Sequence, residues 1–405
     1  KYRGMDRYEC RKILLEDLEK INAIHKIEEY TNSVGRCYRC NTVIEPYLSN
    51  QWFVRMKPLA EKALKVVLDG KIKFYPERWI KVYQHWMENI KDWCISRQLW
   101  WGHRIPVYYC KDCDNIMVLK EKPEFCTNCR SFNIYQDEDV LDTWFSSWLW
   151  PFSTLNWPKE DNNEDLNYFY PTDLLVTGPD IIFFWVARMI MAGLEFKNDI
   201  PFKDVYFTSI IRDIQGRKMS KSLGNSPDPL DVINEYGADA LRFTIIFLAP
   251  IGQDVKFASE ECEIGRNFAN KIWNAGRFLL MHKNQLQYKT DLSNLYNDMD
   301  LSDRWIFSSF NKTINNVEKA LSEYNINEAS KLIYSFFWHD FCDWYIEIIK
   351  QRINSSSDHN KKCNILSRAL YIYENSLKMV HPFMPFITEE IWQNIDERQE
   401  GSSIS

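Results

Sequence analysis

The chain has 405 residues, 45% of them apolar and 26% charged, with 50 Lys and Arg against 56 Asp and Glu for a formal net charge of −6. At roughly 150 residues per domain this length supports two or three domains, so one small module is excluded, and 13 glycines with 15 prolines are too few for long linker-like or low-complexity tracts. The balance of charge supplies no general positive field, so a nucleic-acid partner has to be met by local basic loops.

The opening segment KYRGMDRYECRKILLEDLEK mixes both signs of charge and holds no apolar stretch of the signal-peptide kind. The most apolar stretch, Ile181 to Met191, contains Arg188 and falls well short of the ~20 residues of a bilayer span. A cytoplasmic protein with no membrane segment is therefore expected. The sequence does not start with Met and shows no opening domain, so a fragment of a longer protein is expected too.

Residues 8–28 set Ile and Leu at helical spacing among charges and predict a surface helix, followed by the loop TNSVGRCYRCNTVIEP with the first C-x-x-C pair, Cys37 and Cys40. From Leu59 to Asp92 helical patterns dominate, Gly70 closing one helix and Pro76 opening the next. Between Ile105 and Gln136 the pattern breaks into short strands and turns around Cys110, Cys113, Cys126 and Cys129. Each C-x-x-C turn offers two thiolates to one ion, and two such turns make a closed tetrahedral structural zinc site, the form of a zinc ribbon. Cys37 and Cys40 supply only two ligands, so a metal there needs Cys10, His25 or another chain. The total of eleven cysteines is odd and argues against a disulfide framework. Cys94, Cys262, Cys342 and Cys363 read as packing residues.

Next come the apolar run DLLVTG, the long segment DIIFFWVARMIMAGLEF, the run DVYFTSII, a Gly- and Lys-rich loop, and a helical pattern over DPLDVINEYGADALRFTIIFL. Strand, helix, strand, loop, helix predicts a parallel sheet with helical crossovers. Ligands bind such sheets beyond the carboxyl ends of the strands, here near Gly178 and after Ile211. From Ser259 onward only helical patterns remain, and they predict a bundle.

The loop IQGRKMSKSLGN, residues 214–225, combines Lys218, Met219, Ser220, Lys221 and Ser222 between Gly216 and Gly224. Two ammonium groups on a glycine-flanked loop can neutralise charge growing on a phosphate leaving group, and small residues let backbone N–H groups approach its oxygens. The plain alternative is a solvated basic turn. Lys218 to Ser222 is identical to the KMSKS signature of class I aminoacyl-tRNA synthetases. With DWCISRQLWWGHRIP (92–106), DVLDTWFSSWLWPFSTLNWP (139–158), LLVTGPDIIFFWVARMIMAGLEF (174–196) and GRNFANKIWNAGRF (265–278), the chain resembles the valyl-tRNA synthetase family from Gly4 nearly to Ile404.

That resemblance implies an α/β half of a class I Rossmann-like catalytic domain with an inserted zinc ribbon, followed by an all-α bundle. It implies that residues 1–45 end an editing insertion and its connector, that 46–260 form the second half of the catalytic domain with the ribbon at 105–136, and that 261–405 bind the anticodon. It assigns catalysis to Lys218, Ser220 and Lys221, and ATP contact to these with Met219 and Ser222. Trp144, Asp180, Ile181 and Trp185 become the amino-acid pocket, with Asp180 beside the substrate ammonium. Ile181 and Trp185 have the alternative of ordinary core packing. An apolar wall rejects a hydroxyl isostere poorly, which is why the family carries a separate editing site. Structural zinc, ATP with Mg2+, valine and tRNA(Val) are the implied cofactor, substrates and partner, and a monomer is expected.

His103 has no marked nucleophile beside it and reads as packing or tRNA contact rather than catalysis, and His381 reads as part of a structural cap. Asn267, Asn270, Lys271, Asn274 and Arg277 follow one helix and could meet unstacked bases, or simply form a solvated face. These residues hold no match to the HIGH motif that class I catalysis needs, so the chain by itself is expected to be inactive. The rivals are a non-catalytic RNA-binding adaptor, which leaves KMSKS and Trp144/Asp180 unexplained, and an isoleucyl-type synthetase.

Overall fold

The computed structural model describes residues 1–37, 40–159, 163–220, 223–288 and 295–405, in two compact units, Lys1–Gln51 and Trp52–Ser405. In the first, the Asp6 carboxylate accepts from the N–H groups of Tyr8 and Glu9 and caps a helix over Arg7–Lys20. The sequence pattern extended this helix to residue 28. None of its residues is buried, and a solvated helix with no tertiary face to cover has little to drive its extension.

The second unit is built on a three-stranded parallel sheet in the order Lys73–Tyr75, Phe202–Phe207, Thr172–Thr177. Val205 of the central strand lies between Phe74 and Leu175, and all three are buried. The edge strand Lys73–Tyr75 is absent from the sequence reading, because three residues are too few to show a period of two. The crossover from Thr177 runs through wider π-type turns at Ile182–Ala187 into a helix over Arg188–Phe196. Its buried face packs against the helix Lys57–Leu68.

Between these elements the strand Val107–Cys110 pairs antiparallel with Ile116–Val118 and Ile134–Gln136, a small sheet that carries the four clustered cysteines. After the central strand, the predicted single helix over 228–248 is two helices, Pro229–Tyr236 and Ala238–Leu248. Gly237 between them takes φ 98° and ψ 151°, a conformation that side chains resist and glycine adopts freely.

From Glu263 the chain is helical as expected, with long helices at Glu263–Gln285, Leu301–Ser322 and His359–Val380. They enclose a core that includes Phe268, Phe337, Phe341 and Tyr373. The bundle docks closely on the preceding helix: a Cβ at Gly265 would collide with the backbone of Ala240. The Asp239 carboxylate accepts from the N–H groups of Phe386 and Ile387, at 3.2 and 2.7 Å. Among the described residues no helix is long and apolar enough to cross a membrane.

Candidate functional site

The segment after the central strand is held by a polar clamp. Asp213 accepts from the backbone N–H and Nε of Arg217, both at 2.8 Å, and from Asn225 Nδ2 at 2.9 Å. Asn225 Oδ1 in turn accepts from the N–H of Ser220 at 2.9 Å. The Asn225 hydrogen bond, followed by those from Arg217, favours the ionised carboxylate and lowers Asp213 to about 2. With its base fixed, the loop presents Lys218 outward, and Lys218 Nζ donates to Asp180 Oδ2 at 2.6 Å. Both side chains are about half exposed.

Asp180 stands just beyond the end of the strand Thr172–Thr177, at the start of the crossover. The pair therefore lies at the carboxyl ends of the parallel strands, where ligands bind in open α/β sheets. Met219 packs against the cluster of Val232, Phe257 and Cys262. Lys221 and Ser222, also expected in this loop, lie outside the described residues.

Of the expected pocket residues, Asp180, Ile181 and Trp185 lie on the crossover, and Trp144 packs against it from a separate short helix. Asp142 caps a short helix over Thr143–Ser147, accepting from the N–H of Trp144. The Trp144 ring stacks on Phe184, centroids 5.8 Å apart and planes at 24°. Trp185 Nε1 donates to the carbonyl of Ser147 at 3.1 Å. Trp144 and Trp185 are partly buried against the core, so each has an apolar side available and neither is a fully enclosed packing residue. Ile181 is likewise half buried.

Sequence reasoning missed Asp142, Arg97, Asp213 and Asn225, which hold these side chains. The one available signal was the Asp two positions before Trp144, the spacing of a helix N-cap.

In the ribbon, the Sγ atoms of Cys110, Cys113, Cys126 and Cys129 all lie within 4.8 Å of one another. The pairs Cys110–Cys129 and Cys113–Cys126 are 3.5 and 3.6 Å apart. Tetrahedral zinc with bonds of ~2.3 Å spaces its sulfurs at about 3.8 Å, so these four residues fit the ion. Both turns have the same form. The N–H groups of Cys110 and Cys126 donate to Asn115 and Ser131, while Asp114 and Arg130 take φ of 54° and 63°. Backbone N–H groups, first that of Cys129, lower the Cys126 thiol to about 6. Cys37 repeats this turn: its N–H donates to Thr42, its carbonyl accepts from Asn41, and Asn41 takes φ 57°. That turn supplies two thiolates, half of a tetrahedral set.

The remaining candidates separate. His103 is exposed, and its carbonyl, not its ring, accepts from Leu141 N–H. His381 Nδ1 lies 2.8 Å from Thr388 Oγ1 in the helix Pro385–Ile395. Asn267, Asn270, Asn274 and Arg277 are exposed on one helix, whereas Lys271 is tied to Asp343 at 2.7 Å and lies over Trp338.

A sequence profile described as "tRNA synthetases class I (I, L, M and V)" matches residues 8–258, and one described as "Anticodon-binding domain of tRNA ligase" matches residues 303–405. The chain belongs to this class I tRNA synthetase family. Within it, the chain is similar over its whole length to the valine–tRNA ligases of Thermotoga maritima, at 56% identity, and Chlorobaculum tepidum, at 53%. It spans 46% of the length of each. The fold matches Mycobacterium tuberculosis methionyl-tRNA synthetase in complex with methionyl-adenylate, with a TM-score of 0.71 at 17% identity over 93% of this chain and 70% of that one. It also matches a LeuRS–tRNA–LeuAMS ternary complex from Agrobacterium radiobacter K84, with a TM-score of 0.60 at 20% identity over 78% of this chain and 41% of that one.

Proposed function

We propose that the chain carries the second half of the catalytic domain and the anticodon-binding domain of a valine–tRNA ligase, which joins valine to ATP as valyl-adenylate and passes it to tRNA(Val). In this reading residues 1–45 end the editing insertion, 46–260 complete the Rossmann-like domain, and 261–405 meet the anticodon. The complete protein works as a cytoplasmic monomer.

The observation that carries the reading is the meeting of Lys218 with Asp180 at the carboxyl ends of the parallel strands. A carboxylate oxygen of valine bonds to the α-phosphorus of Mg2+-bound ATP and pyrophosphate leaves. The ammonium groups of Lys218 and Lys221 neutralise charge gathering on that leaving group, with Met219, Ser220 and Ser222 shaping the loop around it. Asp180 takes the substrate ammonium in place of Lys218 Nζ, which turns to the leaving group, and Trp144, Ile181 and Trp185 wall the branched side chain. Zinc in the ribbon is structural, because four thiolates leave no open position for water.

Valine-dependent pyrophosphate exchange by the complete enzyme tests this. Valine should outcompete isoleucine by about 10²-fold, the limit set by one methylene. Preference for isoleucine would transfer the chain to its isoleucyl relative, and exchange with neither would favour an RNA-binding adaptor.

A further inference from the structure

Arg188 is a buried cation in the most apolar segment of the chain, only 5% exposed. Its guanidinium carbon lies 3.5 Å from the ring centre of Trp93, and 5.6 and 5.7 Å from those of Phe183 and Phe184. Its Nε and Nη1 have no hydrogen-bond partner among the described residues. Burial, opposed by Asp142, lowers its pKa to about 10. A Met or Leu would fill this helix without burying a charge, so packing alone does not account for the residue.

What Arg188 faces does account for it. Nη1 stands 4.0 Å from Asp142 Oδ2, too far for a hydrogen bond, and that oxygen accepts from Trp93 Nε1 at 2.9 Å and from Arg97 Nη2 at 2.7 Å. Asp142 begins the helix that bears Trp144. On the crossover itself, the residues four and three before Arg188 are Phe184, which stacks on Trp144, and Trp185, which bonds the Ser147 carbonyl. One guanidinium thus reaches both anchors of the Trp144 helix: the capping carboxylate and the indole that donates to it.

We infer that Arg188 is a positioning residue for the amino-acid pocket: through Trp93 and Asp142 it fixes where the Trp144 ring stands relative to Trp185, and so sets the width of the apolar slot. The inference rests on the proposed reading of Trp144, Ile181 and Trp185 as that pocket. Arg97, which shares Asp142, is 40% exposed at its side chain and contacts solvent, whereas Arg188 is enclosed by rings and so transmits a displacement directly.

The test uses the complete enzyme with Arg188→Met and Arg188→Lys, measuring kcat and KM for valine and for ATP, threonine misactivation, and Tm. The Met variant should raise the valine KM by about tenfold and relax rejection of threonine, the size of effect expected from a displaced pocket wall. Its kcat and ATP KM should stay within about twofold, and Lys should restore part of the loss. If the Met variant does not fold, Trp93→Phe keeps an aromatic face toward Arg188, removes the bond to Asp142, and carries the same expectation. A lowered Tm with unchanged valine KM and unchanged threonine rejection would overturn the inference and leave Arg188 a stability residue. A parent enzyme with no valine-dependent exchange would overturn the pocket reading itself, and the inference with it.

Discussion

Lys218 Nζ and Asp180 Oδ2 stand 2.6 Å apart, joining the glycine-flanked loop to the residue that opens the crossover. Both are half exposed, and an ion pair of that kind contributes only ~0–1 kcal/mol to stability. Its value is therefore in where it holds the loop. In the complete enzyme Lys218→Ala should lower valine-dependent pyrophosphate exchange by about 10²-fold, comparable to loss of one oxyanion donor, while Tm hardly moves. Lys221→Ala should behave alike, and an unchanged rate in both would remove the loop from the chemistry.

Asp213 gives the loop a pH dependence. Its carboxyl is lowered to about 2, first by Asn225 and then by Arg217, so the fold favours the ionised form. The stabilisation is complete above the ordinary carboxylate value of about 4 and disappears as pH falls toward 2. The protection of the Arg217 and Ser220 amides, measured against their intrinsic exchange rates, should therefore fall over that interval. Asp213→Asn should show fast exchange already at pH 6, and equal protection in the variant and the parent would refute the clamp.

The ribbon should hold one zinc per chain. Cys126→Ser or Cys110→Ser should abolish that stoichiometry, read by elemental analysis, and should lower Tm, whereas Cys37→Ser should leave the ribbon ion in place. Protons compete with the metal for thiolates, so zinc retention should weaken progressively as the pH falls. Full zinc content in Cys126→Ser would show that the four sulfurs are not the ligands.

Asp303 secures the bundle. It is fully buried and accepts from Arg352 Nη1 and Arg368 Nη1, each at 2.8 Å, from Arg352 Nη2 at 3.0 Å, and from the Tyr345 hydroxyl at 2.9 Å. Asp303→Ala leaves two guanidinium groups without their shared anion and should cost about 3–5 kcal/mol in denaturant unfolding. A loss below about 1 kcal/mol, the range of an exposed pair, would contradict this account.

The elements readable from sequence are those whose signal is local. KMSKS, the two C-x-x-C turns around Cys113 and Cys126, and the helical periods after Ser259 lie within short windows. Short apolar runs gave the strands ending at Thr177 and Phe207. The three-residue strand Lys73–Tyr75 was hidden because it exists only by pairing with Phe202–Phe207, and the break at Gly237 was hidden because glycine is tolerated inside an otherwise helical pattern. Lys218 and Asp180, thirty-eight positions apart, meet only once the strands are parallel.

Sequence alone determined the residue types capable of neutralising phosphate, gathering zinc and walling an apolar side chain, because those capacities belong to the side chains. It also determined the order of elements, because hydrophobic periodicity follows the chain. Tertiary structure alone decided that Asp142 accepts from Trp93 and Arg97, that Asp213 grips Asn225, and that Asp303 gathers two arginines. These are long-range bonds between polar groups, and burial is what makes their partners obligatory. No local pattern encodes which buried donor meets which acceptor.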